Sequence, residues 1–244
     1  MRLNATAGLP AALFLAALSA TLPANAATIA IDSSSAVTYL SSGSTTTDFP
    51  STFTTANFAA AMTGTAASVL NSTPFYFPAS DIPGAVWIGT NVNAGTSTGD
   101  TALYAVSFVL PAVSSASLTI QYGVDNDLGD TRAGIYLNDA ALPNSTGNPC
   151  GVGVACGSAF TTVQTYTDSS IGSLLVPGTN TLFFDAVNLG AEGGLIFSAN
   201  ITYTAGASVP EPSSFILLGT ALSAFVGLWM HKRSARREPP QRAS

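Results

Sequence analysis

The chain has 244 residues, 47% of them hydrophobic and 8% charged, with a formal net charge of −6. Its basic residues crowd the two ends, so between residues 27 and 208 Arg132 alone stands against eleven acids, a net charge of −10. Such a surface repels nucleic acid and anionic lipid. With the sole histidine at His231, the middle of the chain has no Ser-His-Asp, Cys-His or histidine–zinc chemistry.

Residues 1–26 read as a secretory signal peptide. Arg2 supplies its positive region, residues 9–22 are a largely apolar stretch broken by Pro10, and Ala24-Asn25-Ala26 is a small-x-small cleavage site. Cleavage before Ala27 leaves about 180 residues up to position 208, the scale of one domain. Residues 28–31 and 36–40 are expected as short strands. The stretch 53–70 has partial helical spacing at Phe58, Ala61 and Met62 and predicts one short helix. Pro74, Pro78 and Pro83 make 71–84 an extended connection. Strands then follow at 85–88, which carries Trp87, and at 101–110, with Ala102, Tyr104, Val106, Phe108 and Leu110 on one face. Residues 117–122 alternate cleanly, Leu118, Ile120 and Tyr122 inward. Further strands are expected at 134–137, 160–167, 181–188 and 195–204. The last should turn Leu195, Phe197, Ala199, Ile201 and Tyr203 inward and Ile196, Ser198, Asn200, Thr202 and Thr204 out. Eight or nine short strands with Gly/Pro/Asn turns and almost no helical period predict an all-β sandwich.

The densest polar run is Asp125-Asn126-Asp127-Leu128-Gly129-Asp130-Thr131-Arg132. Asp125, Asp127 and Asp130 offer oxygen ligands suited to calcium, without the spacing of an EF-hand. The competing reading is a solvated turn in which Arg132 neutralises one or two aspartates. A sugar site needs an aromatic platform and a few fixed polar groups. Trp87, Tyr104, Tyr122 and Tyr136 are the candidate platforms, and Asp125, Asn126, Arg132 and Asn188 the polar groups. Tyr104 and Tyr122 fall on faces shared with aliphatic residues, which points to the core. Paired carboxylates at Glu192 and Asp125 would suit glycoside hydrolysis, but the range 27–208 has only one glutamate, and a non-catalytic protein is expected. Cys150 and Cys156 are the only cysteines. In an exported chain they are expected to close a small disulfide loop. A redox pair would prefer a two-residue spacing and a nearby cation.

The C-terminal end has three parts. Val209-Pro210-Glu211-Pro212 is followed by an uncharged run, 213–230, and then by a tail, 231–244, carrying Lys232, Arg233, Arg236 and Arg237. Eighteen residues of helix span roughly 27 Å, close to the hydrocarbon thickness of a bilayer. The cations that follow keep the tail cytoplasmic and place 27–208 across the membrane. This layout resembles the PEP-CTERM sorting signal of bacterial exported proteins, which implies trimming by an exosortase after signal peptidase has acted at the other end. Residues 101–110 with 116–122, then Val124-Asp125-Asn126 with 134–138, and finally Pro177-Gly178-Thr179-Asn180-Thr181-Leu182, resemble the galactose-binding-like jelly rolls common in such proteins. Asp139 stands where that pattern usually has glycine.

The resemblance implies a protein exported through the inner membrane, transiently anchored by its C-terminal helix and then released to the surface or matrix. Its implied partner is extracellular polysaccharide. A structural or adhesive matrix protein with no sugar affinity is the alternative, and a carboxylate hydrolase the third. The intact mass of protein recovered from culture medium is expected to lack both terminal segments and to carry the 150–156 disulfide. Full-length mass in the cytosolic fraction would overturn the export reading.

Overall fold

Alternation with a period of two along four long strands builds the interior. The computed structural model describes residues 26–43, 49, 52–129, 132–145, 160–206, 218–219, 221–226 and 229. Two antiparallel sheets face each other. Sheet A contains β1 (Ala26–Asp32), β4 (Ser68–Val69), β5 (Ile88–Gly89), β7 (Val113–Asp125), β11 (Gln164–Asp168) and β13 (Gly194–Ala205). Sheet B contains β2 (Thr38–Ser41), β3 (Thr65–Ala66), β6 (Ala102–Leu110), β8 (Asp127–Leu128), β9 (Ile135–Leu137), β10 (Ala140–Ala141) and β12 (Gly178–Val187). The long strands alternate between layers: β6 in B, β7 in A, β12 in B and β13 in A. This is the β-sandwich expected from the sequence.

In sheet A the order is β11-β7-β13-β5-β4, with β1 pairing β13 from Ala26↔Thr204 to Asp32↔Ser198. In sheet B it is β10-β9-β12-β6-β2-β3, with β8 pairing the end of β12 at Val187↔Asp127. The inward faces of β6, β7 and β13 match the alternation read from the sequence. Tyr104, Phe108 and Leu110 meet Leu118, Ile120, Leu195, Phe197, Ala199 and Ile201 in the main core. Across the gap between layers, Phe184 of β12 stacks on Phe197 of β13 with ring centroids 4.2 Å apart and planes 23° from parallel. Both rings are fully buried.

Both sheets are also covered on part of their outer faces, which strict alternation does not foresee. On sheet B, Leu103, Ala105 and Phe183 point outward and are buried under a short helix, α1 (Thr55–Met62), through Phe58 and Ala61. The helix starts with a capping box: Thr54 N–H donates to Asn57 Oδ1 at 2.9 Å, and Asn57 N–H donates to Thr54 Oγ1. On sheet A, the connection 71–87 is more than a linker. Tyr76, Phe77, Ile82, Ala85 and Trp87 bury Ile196, which therefore faces away from the main core yet lies out of water. The close fit depends on bare backbone below: a Cβ on Gly123 would sit 2.4 Å from the Phe77 ring and 2.9 Å from that of Trp87. The expected strand at 85–88 shrinks to Ile88–Gly89, because 85–87 are spent on this cover.

The turn expected after β9 is a two-residue hairpin, Leu137 pairing Ala140, with φ of 49° at Asn138 and 70° at Asp139. Asp139 takes the left-handed conformation that glycine would supply. The motif asparagines knit this turn to β12. Asn138 Nδ2 donates to Asn180 Oδ1 at 2.7 Å, Asn138 Oδ1 accepts from Thr181 N–H, and Asn180 spans the Val176–Gly178 turn.

The sorting motif Val209–Pro212, the basic tail with Lys232, Arg233, Arg236 and Arg237, the cysteines Cys150 and Cys156, and Asp130 all lie outside the described residues. Of the run 213–230, residues 218–219, 221–226 and 229 are helical, and Leu218, Leu222, Phe225, Val226 and Trp229 are exposed. Among the described residues no helix is long and apolar enough to cross a membrane.

Phe184→Ala should lower stability by about 3–5 kcal/mol, since it removes one ring of the stack between the two layers. Urea unfolding checks this; a loss under about 1 kcal/mol would mean the layers close over the gap.

Candidate functional site

At the end of β7 the chain leaves sheet A for sheet B, and β8 then pairs the end of β12. This crossover, the start of 71–87 and the loop between β12 and β13 converge on a cleft of about 240 Å³ lined by Phe75, Asp125, Asn126, Phe160, Gly190 and Glu192. Phe75 lies in Pro74-Phe75-Tyr76-Phe77-Pro78, in a turn closed by the Tyr76 N–H donating to Thr73 O at 3.2 Å. Tyr76 and Phe77 bury themselves in the cover, and Phe75 is left 60% exposed. Phe160, half-buried, is held beside it: its carbonyl accepts from Phe77 N–H at 2.9 Å and its ring lies 5.7 Å from that of Tyr76.

Asp125 is the most deeply set lining side chain, 6% exposed. The Tyr76 hydroxyl donates to its Oδ2 at 3.0 Å. Burial pushes the Asp125 carboxyl up to about 6; the Tyr76 hydrogen bond acts in the opposite sense, and the charges of Glu192 and Asp127 push it up further. Tyr76 is itself driven upward by burial and then by the charge of Asp125, so it keeps its proton and remains a donor.

Asparagines hold the loop that brings Glu192 here. Asn126 Oδ1 accepts from Leu189 N–H at 2.7 Å, and Asn126 N–H donates to Val187 O. Asn188 is buried; its Nδ2 donates to Gly99 O at 2.7 Å and its Oδ1 accepts from Gly190 N–H at 2.8 Å. Asn188 is thus a positioning residue behind the cleft.

Five of the residues expected in a sugar site lie elsewhere. Trp87 is buried in the cover over sheet A, its ring 4.3 Å from that of Tyr76 and its Nε1 donating to Phe77 O, so it offers no face to a ligand. Tyr104 belongs to the main core and Tyr136 to the cluster under α1, while Tyr122 is half-buried against the main core. Arg132, the fifth, reaches across to β12. Its Nε donates to Asp185 Oδ2 at 2.7 Å, its Nη1 donates to Phe49 O, and its guanidinium lies 4.8 Å from the Phe53 ring centroid. The pairing with Asp185 meets a general need, because a carboxylate buried on β12 requires an opposite charge at hydrogen-bond distance.

For calcium, Asp125 and Asp127 belong to different sheets, Asp125 bonded to Tyr76 of the outer cover and Asp127 buried beside Val187. Among the described residues no group of three or more His, Cys, Asp or Glu gathers as a metal site. Asp125, Asn126 and Glu192 are the sequence candidates that the fold does bring together. Phe75, Phe160 and Gly190 escaped the sequence reading. The signal for Phe75 was present in the proline-bracketed aromatic triplet, whereas Phe160 and Gly190 reach the cleft only through tertiary contacts.

No protein-family model matches the sequence, and no curated protein is significantly similar to it. Among solved structures, the native structure of a family 35 carbohydrate binding module from Clostridium thermocellum is similar over 70% of this chain and 97% of its own, at 10% identity and a TM-score of 0.36. That likeness is too slight to carry an argument.

The raised Asp125 value has a consequence for stability. Its folded value of about 6 exceeds the unfolded one of about 3.9, so between them the folded state binds more protons. The contribution of this group is therefore most favourable below about pH 4 and declines as pH rises through 6. Asp125→Asn keeps an acceptor for Tyr76 and should stabilise the protein at pH 7 to 8 while flattening that decline. Urea midpoints of both forms from pH 4 to 8 check this; parallel profiles would show that the carboxyl titrates normally.

Proposed function

We propose that this chain is an exported, non-catalytic protein of the cell surface or extracellular matrix that contacts polysaccharide through the cleft at the end of β7. Export and release rest on the sequence: the signal-peptide pattern of residues 1–26, the Val209–Pro212 motif, the apolar run 213–230 and the basic tail, a layout suited to signal peptidase and then an exosortase. The alternation of long strands between two sheets is compatible with a galactose-binding-like jelly roll, but fold alone does not assign a ligand.

The observation that carries the glycan reading is the exposed Phe75 ring beside Phe160, Asp125, Asn126 and Glu192. Sugar rings present an apolar face of C–H groups and a rim of hydroxyls. An aromatic surface covers the first, and carboxylate and amide oxygens accept from the second. At about 240 Å³ the cleft is smaller than sites that enclose a drug-sized ligand, about 300–1,000 Å³. It suits one or two residues of a longer polymer.

A second reading, a carboxylate-based hydrolase, is favoured by one observation: Asp125 and Glu192 share the cleft and burial raises Asp125 to about 6, where it can hold a proton to donate. Turnover of a glycan that survives both Asp125→Asn and Glu192→Gln would eliminate them as its acid and base.

Calorimetric and glycan-array titration of the full-length chain tests the main reading. Saccharide binding is expected, weakened about two- to tenfold by Phe75→Ala. This exposed ring can be removed without opening the core. Self-association with no saccharide binding would favour the purely structural matrix protein.

A further inference from the structure

We infer that the cleft is built for a cationic sugar, the protonated amine of a de-N-acetylated hexosamine within a polysaccharide chain. This rests on the glycan reading above and names the class of glycan.

Asp125 is more than nine-tenths buried, yet only one of its oxygens is engaged: Oδ2 accepts from Tyr76, and Oδ1 makes no hydrogen bond among the described residues. Glu192 lines the same cleft, and Asp127 adds its field to that of Asp125. No cation of the domain answers this charge. Arg132 is the single Lys, Arg or His between residues 27 and 208. It is held by Asp185 at 2.7 Å, close to Phe49 and Phe53 in the layer outside sheet B. A buried carboxylate lacking a cation is a site that a ligand cation completes.

The other lining groups agree. Phe75 and Phe160 present phenyl rings, whose faces attract an ammonium. An ammonium brings three donors and no acceptor, which matches a lining of carboxylate oxygens. A uronic or sulfated sugar brings negative charge against Asp125 and Glu192 and is repelled. A fully N-acetylated sugar stacks on the rings but leaves both carboxylates uncompensated.

The test is calorimetric titration of the full chain with a glucosamine oligomer, its N-acetylated counterpart, a uronic acid oligomer and oligolysine of matched charge, each at low and high salt. The glucosamine oligomer should bind about tenfold more tightly than its N-acetylated counterpart, and salt should shrink that margin. Glu192→Gln, at a half-exposed position, should weaken the glucosamine oligomer more than its N-acetylated counterpart and so narrow the margin. Equal affinity for the two hexosamine oligomers, or preference for the uronic acid, overturns the cationic-sugar inference and leaves the glycan reading standing. Oligolysine binding as tightly as the glucosamine oligomer also overturns it, since charge alone would then account for recognition. If no oligosaccharide binds and Phe75→Ala changes nothing, the glycan reading falls and takes this inference with it.

Discussion

The hydrogen bond from Tyr76 to Asp125 is the constraint on which the candidate site depends. It ties the aromatic cover of sheet A to the point where the chain passes from β7 into sheet B. Tyr76 can reach that carboxylate because its neighbours Phe77 and Trp87 lie against bare backbone at Gly123. Any side chain at that glycine would lift the cover. The same bond holds a carboxylate out of water without neutralising it, and the cleft acquires both its polarity and its aromatic edge from this single attachment.

A second buried carboxylate is treated in the opposite way. Asp185, on the outer side of sheet B, takes the guanidinium of Arg132 at 2.7 Å, and the Phe53 ring lies over that cation. This acidic domain has a single cation, and it lies on the Asp185 side. Spending Arg132 on Asp185 stabilises the layer with α1 and leaves Asp125 with only a neutral donor. The contrast between the two sites follows from scarcity of positive charge rather than from any special geometry at Asp125.

The asparagines divide into a structural set and a set that supports the cleft. Asn138 and Asn180 bond to each other and to turn backbone, so the residues that most resemble a jelly-roll motif serve to fasten β9 to β12. Asn126 and Asn188 instead fix the loop that carries Gly190 and Glu192 to the cleft. Side-chain amides suit both tasks because each offers a donor and an acceptor to backbone groups that no strand partner satisfies.

What the chain reveals without its fold is whatever repeats locally. Alternation along β6, β7 and β13 shows which residues face the main core, since one strand face must leave water. Between residues 27 and 208 the charge count speaks against nucleic acid and there is no histidine, while the end segments stand apart in composition. Three matters were settled only by tertiary structure. Ile196, read as facing solvent, is buried because a segment more than a hundred positions away folds over it. Trp87, read as a sugar platform, is consumed by that same cover. Arg132, adjacent in sequence to three aspartates, also reaches Asp185, far along the chain on β12. In each case the deciding term is desolvation, which depends on what covers a group in space and leaves no periodic trace in the order of residues.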